Sequence, residues 1–92
     1  MFFYVVTYDI PDNKRRKKVA DILEGYGQRV QYSVFECLLT KTKYDELRSK
    51  LKKKVEPPED NVRFYPLSSQ NLSSVETWGG LPVTTPPGSV IV

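Results

Sequence analysis

Phe2-Phe3-Tyr4-Val5-Val6-Thr7-Tyr8, followed by Asp9-Ile10-Pro11-Asp12, sets the reading of the whole chain. The seven residues are aromatic or β-branched and carry no charge, which is the composition of a strand. Apolar side chains fall at both parities, so both faces should be covered, and a strand covered on both faces sits inside a sheet. Asp-Ile-Pro-Asp then ends it, because proline holds its predecessor out of the helical region and aspartate favours turns.

Just beyond the strand, Asp12 or Asn13 caps a helix in which Val19, Ile22, Leu23 and Tyr26 recur at i, i+3, i+4, i+7. Gly25 and Gly27 should end it through a left-handed cap. Lys14, Arg15, Arg16, Lys17 and Lys18 crowd its first turns. Cations against a positive helix end cost roughly 0.3 kcal/mol each. A solvated face accounts for Lys14 and Lys17, while five in a row call for something anionic to compensate.

Residues 29–39 are extended throughout, and fit either two short strands breaking near Ser33 or one long bent strand. Thr42-Lys43-Tyr44-Asp45 resembles a capping box with aspartate in the acidic position. Tyr44, Leu47 and Leu51 mark the buried stripe of a second helix, ending in Lys52-Lys53-Lys54, whose charges suit a negative C-terminus. Pro57-Pro58-Glu59-Asp60 is a turn. Residues 61–67 alternate as a strand, with Pro66 at an exposed end or an edge. Residues 68–74 read as polar linker, and Val75-Glu76-Thr77-Trp78 as a further short strand. Glycine, proline and threonine dominate from Gly79 until Ser89-Val90-Ile91-Val92. We therefore expect one domain over 1–78, including its closing strand, and a tail over 79–92 with no core of its own.

The order β-α-β(β)-α-β, with an extra C-terminal strand, is that of a ferredoxin-like α+β domain: one antiparallel sheet with both helices on one face. The other face is then bare, and must bind RNA or pack against another subunit. Ninety-two residues bury only about 60–65% of their unfolded surface, which makes a covering partner plausible from size alone. The net charge of +3 permits a nucleic-acid partner without establishing one. The single cysteine, Cys37, excludes an intrachain disulfide and a multi-cysteine zinc site, and the lack of histidine removes both the usual zinc ligands and the commonest general base. The apolar start runs into Thr7, Tyr8 and Asp9 with no basic segment before it, and no stretch approaches the length of a membrane span. The expected location is cytoplasmic, away from membranes.

Three features carry chemistry. Asp9 is the only carboxylate reached directly from the first strand, and shares parity with Phe3, Val5 and Thr7. It is either a turn aspartate or a metal ligand. One carboxylate makes a poor magnesium site, which usually takes one or two carboxylates with water and substrate phosphate. A twofold dimer would supply a second Asp9 if the strands met near the axis. Arg16, Lys18 and Arg29 form a basic group suited to phosphates. Tyr8, Tyr32, Phe35 and Trp78 read as core or interface residues ahead of base-stacking platforms. The chain has no Walker motif, no Gly-x-Gly-x-x-Gly, no nucleophile elbow and no aromatic-glycine octapeptide of RNA-recognition modules, since residues 31–38 lack glycine.

Two segments together resemble the CRISPR-associated protein 2 family: Tyr4-Val5-Val6-Thr7-Tyr8-Asp9-Ile10-Pro11-Asp12 with Arg16-Lys17-Lys18-Val19, and Arg29-Val30-Gln31-Tyr32-Ser33-Val34-Phe35-Glu36. The match covers about the first two-thirds of the chain and leaves out the tail after Gly79. The resemblance implies a homodimer in which the bare sheet faces meet and the last strand crosses to the partner. It implies Mg2+ held near the dimer axis by Asp9 of both subunits. It also implies metal-dependent cleavage of RNA or DNA, and a bridging role between CRISPR-associated integrase subunits in spacer acquisition. The family's functional positions correspond to Tyr8, Asp9, Arg16, Lys18, Arg29 and Phe35, with Asp9 and Tyr8 at the reaction and the rest toward nucleic acid. Where some relatives carry arginine, Lys18 keeps the charge but loses the bidentate fork. A non-catalytic nucleic-acid scaffold is the alternative, and a ferredoxin-like RNA-binding module a more distant one.

Overall fold

The computed structural model describes residues 1–85. Seven elements follow one another: β1 (Phe2–Asp9), α1 (Asn13–Glu24), β2 (Gln28–Gln31), β3 (Val34–Leu39), α2 (Lys41–Lys52), β4 (Asn61–Leu67) and the short α3 (Ser69–Leu72). The four strands form one antiparallel sheet of order β2-β3-β1-β4. β1 is internal, as its two apolar parities require, and β4, which carries Pro66, is an edge. The βαββαβ order is the ferredoxin-like α+β arrangement.

Alternation along the strands divides the sheet. Val6 and Tyr8 of β1 and Phe35, Cys37 and Leu39 of β3 pack in one buried cluster with Val19, Ala20 and Leu23 of α1 and Leu47 and Leu51 of α2. Both helices therefore lie on one face. Each fully buried Val, Leu or Phe among them stabilises the fold by about 1.5–3 kcal/mol. Tyr4 stacks on Tyr44 at 4.4 Å between ring centres, and Phe64 meets both rings edge-on. This aromatic trio joins β1, α2 and β4.

On the helix-free face, Val5 and Thr7 stand beside Glu36 and Val34 of β3 and beside Tyr65 and Arg63 of β4. Part of this face is crossed by the chain's own C-terminal stretch, since the Thr84 amide and hydroxyl donate to Glu36 Oε1 at 2.9 and 3.0 Å.

Several local expectations change. Residues 29–39 form two strands, with Tyr32 and Ser33 at the hairpin tip. Gly25 caps α1 at φ −77°, so no left-handed residue is needed there. Gly27 is required by close approach instead: a Cβ would lie 2.4 Å from both Cys37 Sγ and the Glu36 carbonyl oxygen. The cap of α2 is Thr40, whose hydroxyl accepts from the Lys43 amide at 3.2 Å. β3 ends at Leu39, so Thr40 is the first residue free to cap, and the box at Thr42 is not used. The polar stretch after β4 contains α3, capped by Ser68. Residues 75–78 form no strand, and the expected extra C-terminal strand is absent among the described residues. They have no ladder partner among the described residues, and Val75 and Trp78 are exposed. The Ser89–Val92 reading lies outside the described residues. No described helix is long and apolar enough to cross a membrane.

Candidate functional site

β1 delivers Asp9 to the end of the sheet, and the turn that follows brings α1 back across it. Asp12 caps α1 by accepting from the Arg15 amide at 2.9 Å. Arg16, one turn into the helix, reaches back and donates to the Ile10 carbonyl at 3.0 Å and to Asn13 Oδ1. The hairpin tip closes the other side: the Tyr8 amide donates to the Ser33 carbonyl and the Tyr8 hydroxyl to the Tyr32 carbonyl, both at 3.1 Å. Tyr8, Asp9, Ile10, Arg16, Arg29, Tyr32 and Ser33 thereby line one cleft of about 380 Å³.

Asp9 is exposed, and no hydrogen bond or ion pair to its carboxylate occurs among the described residues. It pairs in register with Asn61 at the start of β4. Arg29 lies over the Phe35 ring, 5.2 Å from its centre, with one nitrogen 3.5 Å from the Tyr8 hydroxyl and 3.8 Å from Glu24. Its side chain remains 42% exposed, so it can still meet an anion from solvent. Two arginines and one unpaired carboxylate thus share a concave surface. A phosphate would find bidentate donors here, and a cation would find the Asp9 oxygens.

Four of the sequence-derived residues, Tyr8, Asp9, Arg16 and Arg29, come together. Lys18 does not line the cleft and sits exposed further along α1. Phe35 is fully buried in the core of this chain, with the Arg29 guanidinium over its ring. Tyr8 is 5% exposed and acts through its hydrogen bonds to the hairpin. The aromatics divide: Tyr8 and Phe35 are core, while Tyr32 and Trp78 stand 95% and 91% exposed.

The anion expected opposite the basic run is partly the chain's own. Arg15 donates through Nε to Asp60 at 2.8 Å and meets Glu59 at 2.9 Å and Glu56 at 3.2 Å. Hydrogen bonding from Arg15 holds the Asp60 carboxyl below the usual carboxylate range, against the opposing effect of burial. Lys17 pairs with Asp21 one turn on. Lys14 and Lys18 have no ion pair among the described residues. Arg15 and Asp60 were not singled out from sequence; the acidic Glu56, Glu59 and Asp60 near a proline turn were the available signal.

As a metal site one chain is incomplete. No group of three or more acidic or cysteine side chains able to hold an ion occurs among the described residues. Asp9 supplies one hard oxygen donor group, which fits magnesium only when another carboxylate or the substrate's phosphate completes the set.

The chain was compared with known proteins. A family model described as CRISPR associated protein Cas2 matches residues 1–75. A protein of Synechocystis sp. named CRISPR-associated endoribonuclease Cas2 3 is 63% identical over 92 residues, covering all of both chains. Among solved structures, a hypothetical protein TT1823 from Thermus thermophilus superposes with a TM-score of 0.79 at 41% identity, over 88% of this chain and 95% of that one. A chain of a partial Cas6-RT-Cas1–Cas2 complex gives 0.79 at 30% identity over the whole of both chains.

Proposed function

We propose, from the premise that the chain belongs to the CRISPR-associated protein Cas2 family, that it is a phosphodiester endonuclease acting on RNA, magnesium-dependent and homodimeric. The observation that carries this reading is the single cleft uniting Asp9, Arg16 and Arg29. The endoribonuclease named at 63% identity supports the reaction class.

Asp9 of each subunit would hold the ion, two copies giving the carboxylates that one chain lacks. Magnesium, when bound, supplies charge neutralisation at the phosphoryl oxygens and a more acidic water. Arg29 positions a backbone phosphate, its guanidinium aimed by the Phe35 ring and the Tyr8 hydroxyl. Arg16 has a double duty. Its donors already hold the Ile10 carbonyl and Asn13, which shapes the turn, and its remaining N–H groups face the cleft. Tyr8 keeps the hairpin tip against β1 and so sets the width of the cleft.

The reading is tested by cleavage of RNA and DNA substrates with and without magnesium, on wild type and Asp9→Asn. Asp9 is exposed and has no partner among the described residues, so the variant's stability should change by less than about 0.5 kcal/mol. Magnesium-dependent cleavage should disappear while fold and dimer persist. Equal cleavage by the variant would sink the metal-holding role of Asp9, and a wild type that cleaves nothing would sink the nuclease reading.

A second reading, a scaffold that bridges integrase subunits along nucleic acid, is favoured by the Cas1–Cas2 assembly in which a structural neighbour was solved. It needs the basic surface and not Asp9. Asp9→Asn that still assembles with an integrase subunit on DNA, beside Arg16→Ala with Arg29→Ala that does not, is its expected signature.

A further inference from the structure

Asp60 immediately precedes Asn61, the register partner of Asp9, and Arg15 immediately precedes Arg16, whose guanidinium closes the turn after Asp9. Asp60 and Arg15 are joined by a two-pronged contact: Nε donates to Oδ2 at 2.8 Å and one NH2 donor to Oδ1 at 3.0 Å. The Asp60 side chain is wholly buried, and its Oδ2 also accepts from the Glu56 amide at 3.0 Å. One contact thus ties together the two backbone segments that flank the Asp9 cleft, across 45 residues of sequence.

We propose that Asp60 and Arg15 are positioning residues for the Asp9 cleft, a role that rests on the phosphodiester-cleaving reading above. A bidentate guanidinium–carboxylate contact fixes distance and angle together, which a single contact does not. Apart from Arg15, which also meets Glu59 and Glu56 in the segment before β4, the hydrogen bonds that hold the first turn of α1 are local: the Asp12 cap and the Arg16 reach to Ile10. Those bonds shape the turn, but none of them refers it to β4. The Arg15–Asp60 contact does, so Asp9, Arg16 and Asn61 keep one mutual geometry. Arg15 is accordingly withdrawn from the nucleic-acid surface, although it stands in the middle of the basic run.

The test is Asp60→Asn, with Asp45→Asn as the exposed control, read by amide hydrogen exchange and by cleavage kinetics on folded dimer. Exchange across residues 9–16 should speed by about tenfold while that of residues 34–39 stays within about twofold, since only the local opening changes. In cleavage, kcat should fall by about tenfold with KM within about twofold, as expected when positioning is lost and binding is kept. Asp45→Asn, which loses only a pairing with Lys41 on α2, should leave both readouts at wild-type values. Exchange that rises evenly in both segments would leave Asp60 a general stabiliser, and exchange that rises in neither would show no clamp; either overturns the proposal. Should Asp60→Asn not fold, Arg15→Lys, which keeps the charge and loses the fork, decides by the same two readouts. A wild type that cleaves nothing would defeat the nuclease reading, and the exchange comparison alone would then decide the clamp.

Discussion

Gly27→Ala separates two accounts of why glycine follows α1. At Gly27 an added Cβ would sit 2.4 Å from Cys37 Sγ, 2.4 Å from the Glu36 carbonyl oxygen and 3.0 Å from Cys37 Cα. Two of these three atoms are backbone of β3, so no side-chain rotation relieves the overlap; β2 and β3 must part. The cost lies at the upper end of overpacking, about 3 kcal/mol. For a domain of this size each kcal/mol lowers Tm by roughly 4–8 °C, giving a fall of roughly 12–24 °C. At Gly25 the added Cβ meets only the Ile22 carbonyl oxygen at 3.3 Å, and φ is −77°, open to any residue. Gly25→Ala should therefore stay within about 0.5 kcal/mol of wild type, because the small contact penalty offsets the stabilisation that comes from the unfolded chain's reduced entropy. Thermal melts measure both variants. Cys37 gives a second readout: burial pushes its thiol up to about 12, so it should resist a thiol reagent at neutral pH in the native protein. In Gly27→Ala it should react faster, and binding to nucleic acid should weaken because the hairpin carries Arg29. A Gly27→Ala protein that melts beside wild type with Cys37 still protected would refute the close-approach argument. A destabilised Gly25→Ala would restore the helix-cap one.

Nucleic-acid affinity should fall steeply with salt, and Arg29→Ala should flatten the log–log slope by roughly one unit on duplex, measured by salt titration. Binding that ignores salt would contradict a phosphate-led surface. Because Arg15 lowers the folded-state pKa of Asp60, the stability from their contact is present above the unfolded value, about 3.9, and is lost as pH falls below it. The Tm difference between wild type and Asp60→Asn should be constant at neutral pH and shrink only in that acidic range. Deleting residue 75 onward should abolish the dimer, read by sedimentation at low micromolar concentration; a truncated protein that stays dimeric would remove the strand-exchange expectation.

Strands and helices were legible where pattern and burial agree. The stripe Val19, Ile22, Leu23 and Tyr26 faces the core as its spacing requires, and residues 2–8 lie in an internal strand because both parities are apolar. Residues 29–39 stayed ambiguous because every residue there suits extended backbone, and the break at Ser33 is made by the Tyr8 amide, a partner distant in sequence. The same holds for residues 75–78: their composition suits a strand, but a ladder needs a partner that the described residues do not offer. In the site, Asp9, Arg16 and Arg29 were readable as charges near turns. Phe35 could not be placed by type alone, since an aromatic beside an arginine serves equally as a stacking surface or as a core residue under a guanidinium. Arg15 and Asp60 were hidden for a different reason. Five cations in a row look interchangeable in sequence, and only the path of the turn after Pro58 decides which of them meets the acid.

The central position of β1 has a consequence for how the chain is made. In chain order the strand that ends in the middle of the sheet precedes both of its neighbours, β3 at residues 34–39 and β4 at residues 61–67. Until they emerge, residues 2–8 have no ladder partner, no charge and no proline, the composition most prone to pairing with another growing chain. The β2–β3 hairpin can form locally, and α1 offers Val19 and Leu23 as the first cover for Val6 and Tyr8. The sheet itself closes only when β4 arrives, so the order of synthesis makes completion of the fold a late and long-range event.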